Sequence, residues 1–273
     1  MNSMARRMFE LVEPIGVIPY SADEPNETMF ALGFTNYWDT YFAGRAAPLG
    51  LAAAEVVDAL VYNFAPGEVA RHIPKVWRTT TPEAAIAARQ AGCVKALRRI
   101  LGDDHVDSPA FARAADLLLE AAVSAPTEGR PMYAALRPIP LPEDVVTRLF
   151  HAASMLREHR GDGHIAALLT EGIGRLEAHV LLALDMDMPA EKFGRIHHLP
   201  AAQLAAVIDG MRDRGLIGDD GWLSKPGRAV KQRVEALTDD LAARPYQSLE
   251  PDELDELMAT LEPLATLLLA AQD

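Results

Sequence analysis

Residues 211–241 read MRDRGLIGDDGWLSKPGRAVKQRVEALTDDL, and this stretch decides the fold that the sequence predicts. Its first residues complete a helical pattern over 200–214, and Gly215 is expected to end that helix because glycine accepts the left-handed backbone of a helix C-terminus. The Asp-Gly pair that follows is typical of a tight turn between two short antiparallel strands. A long helix is then predicted from Pro226 onward, with proline in its first turn. The order of helix, two-stranded hairpin and helix predicts an all-α protein with a small β-wing.

The composition of the whole chain also favours helices and limits the class of protein. Alanine and leucine dominate its 273 residues, whereas aromatic residues make up only 6%. The single cysteine, Cys93, excludes an internal disulfide framework and a cysteine-rich metal site, and it fits a reducing compartment. A membrane-spanning helix needs about 18 consecutive apolar residues, and the chain has no such run. We therefore expect a cytoplasmic protein with no membrane partner.

The spacing of turn signals divides the chain into two predicted domains. Residues 124–144 hold five prolines, a composition typical of a connection. We therefore predict a helical N-terminal half over residues 1–140, packed on a C-terminal half over residues 141–273 that contains the hairpin. A degenerate duplication of one unit is an open alternative, although the halves share no fixed-period sequence identity.

The stretch 211–241 resembles the recognition helix, wing and following helix of MarR-type winged-helix proteins. In those proteins a glycine ends the recognition helix and an LT-x-x-G-R sequence leaves the wing, which is similar to LSKPGR at 223–228 here. Most of the chain also resembles an actinobacterial family described only as helix-turn-helix or hypothetical proteins. The matching pieces are YFAGRAAPLG (41–50), VYNFAP (61–66), LREHRGDGHIAAL (156–168) and LSKPGRA (223–229). The resemblance implies a MarR-like winged-helix C-terminal half and brings no established activity.

Residues 157–164, REHRGDGH, are all polar, charged or glycine, in a chain otherwise rich in alanine and leucine. One interpretation is a capped turn between two helices. Gly161 would end the first helix in a left-handed conformation, and Asp162 would accept hydrogen bonds from the first N–H groups of the next. The two arginines would stabilise the negative end of the first helix dipole. This interpretation explains four of the eight residues.

The other interpretation is an acid–base site, because a capped turn leaves two histidines unexplained. His164 would lie in the first turn of a helix, where the dipole disfavours the imidazolium. A neutral imidazole near pH 7 acts as a base or as a ligand, and a neighbouring carboxylate would orient it. The candidate catalytic residues are His164, His159, Glu158 and Asp162. The two histidines lack a standard ligand spacing, so we expect no bound metal and no cofactor.

The segment 37–45 predicts one wall of a pocket. Its aromatic residues recur mostly at spacings of three and four and so share one helix face. Arg45 follows at the helix end, where a cation suits the helix dipole. Aromatic residues on one face are commonly core, but beside a partly buried arginine they also suit the binding of an anion. The candidate ligand-binding residues are Arg45, Tyr41, Trp38, Tyr62, Asn63, Trp77 and Arg157.

DNA binding is not expected, although the predicted hairpin resembles a wing. The predicted recognition helix begins mostly with alanine and has only Gln203 to contact a base. Asp219 and Asp220 at the wing tip would repel phosphate, and the chain carries a net charge of −13.

The leading hypothesis is a winged-helix-related protein that binds a small molecule between its halves, with weak or lost DNA readout. Segments 37–45 and 157–164 would line the pocket. One alternative is an enzyme that uses a histidine–carboxylate acid–base site in the same pocket. The other is a ligand-responsive MarR-like transcription regulator. The sequence leaves the ligand, any reaction and a homo-oligomeric state open.

Overall fold

The computed structural model describes residues 3–62, 64–193 and 198–272, and within these ranges the chain is mainly helical. The α-helices are α1 (Ser3–Gly16), α2 (Ile18–Ser21), α3 (Asp23–Phe30), α4 (Tyr37–Ala46), α5 (Ala54–Leu60), α6 (Pro82–Leu101), α7 (Asp103–Val106), α8 (Pro109–Ser124), α9 (Pro131–Leu136), α10 (Val145–Thr170), α11 (Arg175–Asp185), α12 (Ala201–Asp213), α13 (Lys225–Ala242) and α14 (Pro251–Ala270). Short 3-10 segments lie at Ala47–Leu49, Val69–Arg71, Lys75–Arg78, Ala190–Lys192 and Arg244–Ser248. None of the described helices is both long enough and apolar enough to cross a membrane. The mainly all-α part of the predicted fold is confirmed.

The predicted β-wing is wrong. In the described part of the chain no strand forms, and the connection between α12 and α13 contains a single antiparallel bridge between Ile217 and Leu223. The N–H of Ser224 donates to the carbonyl of Leu216 at 3.0 Å, and α13 begins at the next residue. Gly227 in its first turn packs so closely that a Cβ would lie 2.1 Å from the same carbonyl oxygen. The helix starts too early for a pair of strands, so the winged-helix C-terminal half, and the duplication of such a unit, are not supported.

The predicted helix break at REHRGDGH is also wrong. Residues 157–164 lie inside α10, which continues over 26 residues. A glycine in a helix interior costs about 1 kcal/mol relative to alanine, and the packing of α10 against α1, α8 and α13 outweighs this cost. Gly161 therefore does not end a helix, and Asp162 is not the N-cap of a following one.

Helix α10 connects two apolar cores. The larger core joins α1, α6, α8, α10 and α14 through buried side chains that include Leu11, Leu117, Leu149 and Leu261. The second core packs the end of α10, at Leu168, against α11, α12 and α13. Residues from both sides of position 140 contribute to the larger core, and the domain boundary predicted there stays a prediction.

Candidate functional site

A cavity of about 690 Å³ lies where α10 passes α1, α4, α11 and α13. Its most aromatic wall comes from α4 and the segment after α5 and consists of Tyr37, Trp38, Tyr41, Tyr62 and Phe64. Several of these rings meet edge to face, and those of Trp38 and Phe64 are 5.9 Å apart at 88°. Aromatic edge-to-face pairs of this kind hold the rings in place.

The cavity-facing side of α10 carries most of the REHRGDGH side chains. Arg157, Gly161 and His164, at spacings of four and three, share one face of α10. Glu158, Arg160 and Asp162 also line the cavity. His159 lies on another face, where its ring packs edge to face on Tyr133 at 5.2 Å. Burial, and then Arg130, lower the pKa of His159 to about 4. The structure thus separates the two candidate histidines.

Arg45 and Glu158 connect α4 to α10 through a two-point ion pair. Arg45 Nη1 and Nη2 lie 2.9 and 3.0 Å from the two carboxylate oxygens of Glu158. Burial alone would raise the pKa of Glu158, but Arg45 and Arg157 hold it below its usual range. The predicted anion-binding arginine therefore has a carboxylate of the protein as its partner, and a ligand contact at Arg45 stays a prediction.

Tyr20, which sequence reasoning missed, lies beside this ion pair. Its hydroxyl oxygen accepts hydrogen bonds from Arg45 and Arg89, both at 3.1 Å. Burial alone would raise the pKa of Tyr20, but Arg89, Arg45 and Arg157 together lower it. Tyr20 belongs to the four-residue helix α2, which is too short to show a helical pattern that could have marked the residue.

His164 contacts α13 rather than a carboxylate. Its Nδ1 lies 3.0 Å from the hydroxyl of Thr238. Burial lowers the pKa of His164 to about 4, although Glu235 acts in the opposite direction. The imidazole is therefore neutral near pH 7, and the cause is burial rather than the start of a helix, because His164 lies inside α10.

Asp162 caps a helix, although not the predicted one. Its Oδ2 accepts the backbone N–H of Tyr133 at 3.0 Å, in the first turn of α9. Burial raises the pKa of Asp162 to about 6. The neighbouring glycine also has a structural reason, because a Cβ on Gly163 would lie 2.2 Å from Arg130 Nη1.

Charged side chains of α1, α10 and α13 form a network of ion pairs at another side of the cavity. Arg6 lies 2.7 Å from Glu235 and 2.9 Å from Asp239, and Arg160 lies 3.2 Å from both carboxylates. Lys231 also pairs with Glu235. Burial alone would raise the pKa of Glu235, but Lys231 and Arg6 hold it well below its usual range. Sequence reasoning missed this network because its partners are far apart in the chain; Arg6 and Asp239 are separated by 233 positions.

The other predicted wall residues have different positions. Tyr62 lines the cavity, and its hydroxyl donates to the carbonyl of Ile173 at 3.0 Å. Trp77 packs instead against the apolar cluster around Phe42. Asn63 lies outside the described residues.

A second buried polar cluster lies outside the cavity. His72 Nδ1 is 2.7 Å from Asp39, and its Nε2 is 3.4 Å from Glu68. Glu68 also contacts His198, which precedes α12, and Lys75 pairs with Asp39 at 2.8 Å. Among the described residues, no group of His, Cys, Asp and Glu is arranged to hold a metal ion. This cluster connects α4 to the segment before α12.

Comparison with known sequences places the chain by family. The model of a helix-turn-helix family matches residues 5–273. No curated protein and no solved structure matches the chain.

Proposed function

The chain belongs to a helix-turn-helix family over residues 5–273, and on that premise we propose that it binds a small molecule in the cavity between α4 and α10. The family description indicates at most a fold of the DNA-binding type and names no ligand or reaction. Support for this function comes from the cavity itself.

The size and lining of the cavity carry the proposal. Ligand sites in proteins are commonly about 300–1,000 Å³ and combine an apolar wall with a few oriented polar groups. This cavity of about 690 Å³ has an aromatic wall on α4 and polar side chains on α10 and α13. A molecule bound against the aromatic wall would remove apolar surface from water, which is favourable.

Gly161 gives independent support. It lies in the interior of α10, and a Cβ there would have only the carboxylate of Glu158 within 4 Å, at 3.8 Å. Glycine at such a position destabilises a helix by about 1 kcal/mol relative to alanine. Apart from this contact, no described residue packs into the space beside Gly161, and that space is part of the cavity. A ligand that approaches the backbone of α10 would account for the glycine.

The test compares two glycines with N-phenyl-1-naphthylamine, an uncharged dye that fluoresces in apolar sites. Gly210 lies in the interior of α12, and a Cβ there would meet nothing within 4 Å. We expect the parent and Gly210→Leu to bind the dye equally. Gly161→Leu, whose side chain would project into the cavity beside α10, should bind at least tenfold more weakly. Unchanged binding by Gly161→Leu, or no binding by the parent, would count against this function.

The acid–base alternative has less support. The predicted carboxylate partner of His164 is replaced by the hydroxyl of Thr238. An imidazole with a pKa of about 4 is a weak base near pH 7, because efficient general bases have pKa values close to the working pH. We therefore propose binding rather than turnover.

Weak or lost DNA readout remains part of the proposal. The first exposed residues of α12 are mainly alanines. Arg212 in α12 pairs with Asp209 at 2.7 Å, and Arg214, the residue after the helix, pairs with Glu177 at 2.6 Å. Phosphate contacts need available cations, so this surface does not favour the regulator alternative.

A further inference from the structure

We infer that the cavity selects an uncharged aromatic molecule with an N–H or O–H donor, and that Nε2 of His164 accepts the hydrogen bond from this donor. The inference rests on the binding function proposed above and names the class of its ligand. Three features of the lining support it.

The first feature is the tautomer of His164, which follows from counting protons. The hydroxyl of Thr238 has one proton and donates it to the carbonyl of Val234 at 2.7 Å. Towards His164 Nδ1, 3.0 Å away, that hydroxyl oxygen can only accept. Nδ1 therefore carries the imidazole proton, and Nε2 of the neutral ring has a lone pair.

The second feature is the surroundings of that lone pair. His164 lines the cavity, and in the part of the chain that the structure describes no hydrogen bond to its Nε2 is formed. The groups that act on the ring electrostatically are Glu235, Arg160, Lys231 and Arg6, and these pair with one another or with Asp239. A ligand that covered Nε2 without offering a donor would cost this acceptor the hydrogen bond that water otherwise supplies. A donor on the ligand would satisfy it.

The third feature is the balance of charge around the cavity. The lining contains five basic and five acidic side chains. Each basic side chain contacts a carboxylate: Arg6 and Lys231 contact Glu235, Arg45 contacts Glu158, Arg157 contacts Glu13, and Arg160 contacts Asp239. An anionic ligand would have to displace a carboxylate from its partner, and a buried unpaired charge is unfavourable. The two remaining carboxylates are also engaged, Asp185 by Lys231 and Asp162 by the backbone N–H of Tyr133, so a cationic ligand would compete with existing partners as well. The lining therefore favours an uncharged molecule, and the aromatic wall favours a ring.

Three related dyes test this class. N-phenyl-1-naphthylamine has an N–H donor and no charge, its N-methyl derivative lacks the donor, and 1-anilinonaphthalene-5-sulfonate adds a negative charge. For the parent we expect the N–H dye to bind about tenfold more tightly than the N-methyl dye, the ratio that one hydrogen bond supplies. The sulfonate should bind at least tenfold more weakly than the N–H dye.

His164→Leu separates hydrogen bonding from shape. It should still bind both uncharged dyes, with a ratio of affinities close to one. A preference that persists in His164→Leu would mean that the methyl group is excluded sterically and would overturn the role of Nε2. Equal binding of the uncharged dyes by the parent would overturn the donor requirement, and tight binding of the sulfonate would overturn the uncharged class. Failure of the parent to bind any of the three would instead contradict the binding function itself.

Thr238→Val tests the positioning of the ring. In ¹⁵N-labelled parent protein we expect the NMR spectrum of His164 to show a protonated Nδ1 and an unprotonated Nε2. Thr238→Val, which replaces the hydroxyl with a methyl group of similar size, should show a mixture of tautomers and a smaller preference for the N–H dye. A protonated Nε2 in the parent at neutral pH would overturn the inference.

Discussion

Arg45 and Glu158, which are 113 positions apart in the chain, form a two-point ion pair with distances of 2.9 and 3.0 Å. The side chains are 15% and 10% exposed, so solvent screens the pair only weakly. The contact holds α4, which carries the aromatic wall, at a set distance from α10, which carries the polar lining. The shape of the cavity therefore depends on it.

Arg45→Ala should destabilise the protein strongly, because it leaves Glu158 buried without its main partner. Removing one member of a buried pair commonly costs about 3–5 kcal/mol. We expect about 3 kcal/mol, since Arg157 Nη1 remains 3.5 Å from Glu158. Denaturant unfolding measures the loss, and adding Glu158→Gln should restore part of it.

The control for this variant is Arg212→Ala, which breaks a surface pair with Asp209. Such pairs contribute about 0–1 kcal/mol. Equal losses for Arg45→Ala and Arg212→Ala would contradict the structural role of the buried pair.

Gly161→Ala and Gly163→Ala should change stability in opposite directions, although they lie two positions apart on α10. A Cβ on Gly161 meets only the carboxylate of Glu158, at 3.8 Å, and gains about 0.5–1 kcal/mol from helix propensity. A Cβ on Gly163 would lie 2.2 Å from Arg130 Nη1, which donates to the carbonyl of His159 at 3.0 Å. Overpacking of this kind costs about 1–3 kcal/mol. Thermal unfolding of the two variants checks the signs, and two stabilised variants would contradict this packing of Arg130.

Asp162→Asn should become more stable relative to the parent as the pH rises. Burial raises the pKa of Asp162 to about 6, and the nearby charge of Glu158 acts in the same direction. The backbone N–H groups of Tyr133 and Met132 and the cation Arg130 lower the pKa, but they do not outweigh burial. A carboxyl group whose pKa is raised by folding contributes stability that is fully present below its unfolded-state pKa of about 3.9. This contribution is lost as the pH rises through the folded-state pKa of about 6. Asparagine keeps the acceptor for α9 and does not titrate. The difference in unfolding free energy between Asp162→Asn and the parent should change by at most about 1.4 kcal/mol per pH unit.

Asp144→Asn is the matched control with the opposite sign. Asp144 caps α10 by accepting from the N–H of Thr147 at 2.8 Å. Burial alone would raise its pKa, but Thr147 and Arg98 lower it. Its contribution is present above the unfolded pKa and is lost as the pH falls through the lower folded value. The same pH trend for both variants would show that the titration of Asp162 is not the cause.

No sequence-specific binding to duplex DNA is expected at physiological salt. The exposed start of α12 is mainly alanine, and Arg212 and Arg214 are paired within the protein. Fluorescence polarisation with fragments from the neighbourhood of its own gene, with unlabelled competitor DNA, measures this. Tight binding that resists the competitor would support the regulator alternative instead.

The sequence by itself determined the elements whose signals are complete within a few residues. Gly215 follows α12 with a positive φ of 71°, and Pro226 lies in the first turn of α13, as the sequence predicted. The aromatic face and the polar run were also visible in advance, and segments 37–45 and 157–164 do contribute to one cavity. Spacing along a helix defines a face, and a cap needs only its neighbours, so such features can be predicted locally.

Only the tertiary structure decided whether α10 is one helix and which partner each polar group has. Two glycines at positions 161 and 163 weaken a helix by about 2 kcal/mol together, whereas full burial of one large apolar side chain contributes about 1.5–3 kcal/mol. α10 buries several, among them Leu149, Phe150, Leu156 and Leu168, and so it continues through REHRGDGH. That continuity turns His159 towards Tyr133, His164 towards Thr238 and Asp162 towards α9. Each of these partners comes from a distant part of the chain, and packing energy, which no local pattern records, brings them together.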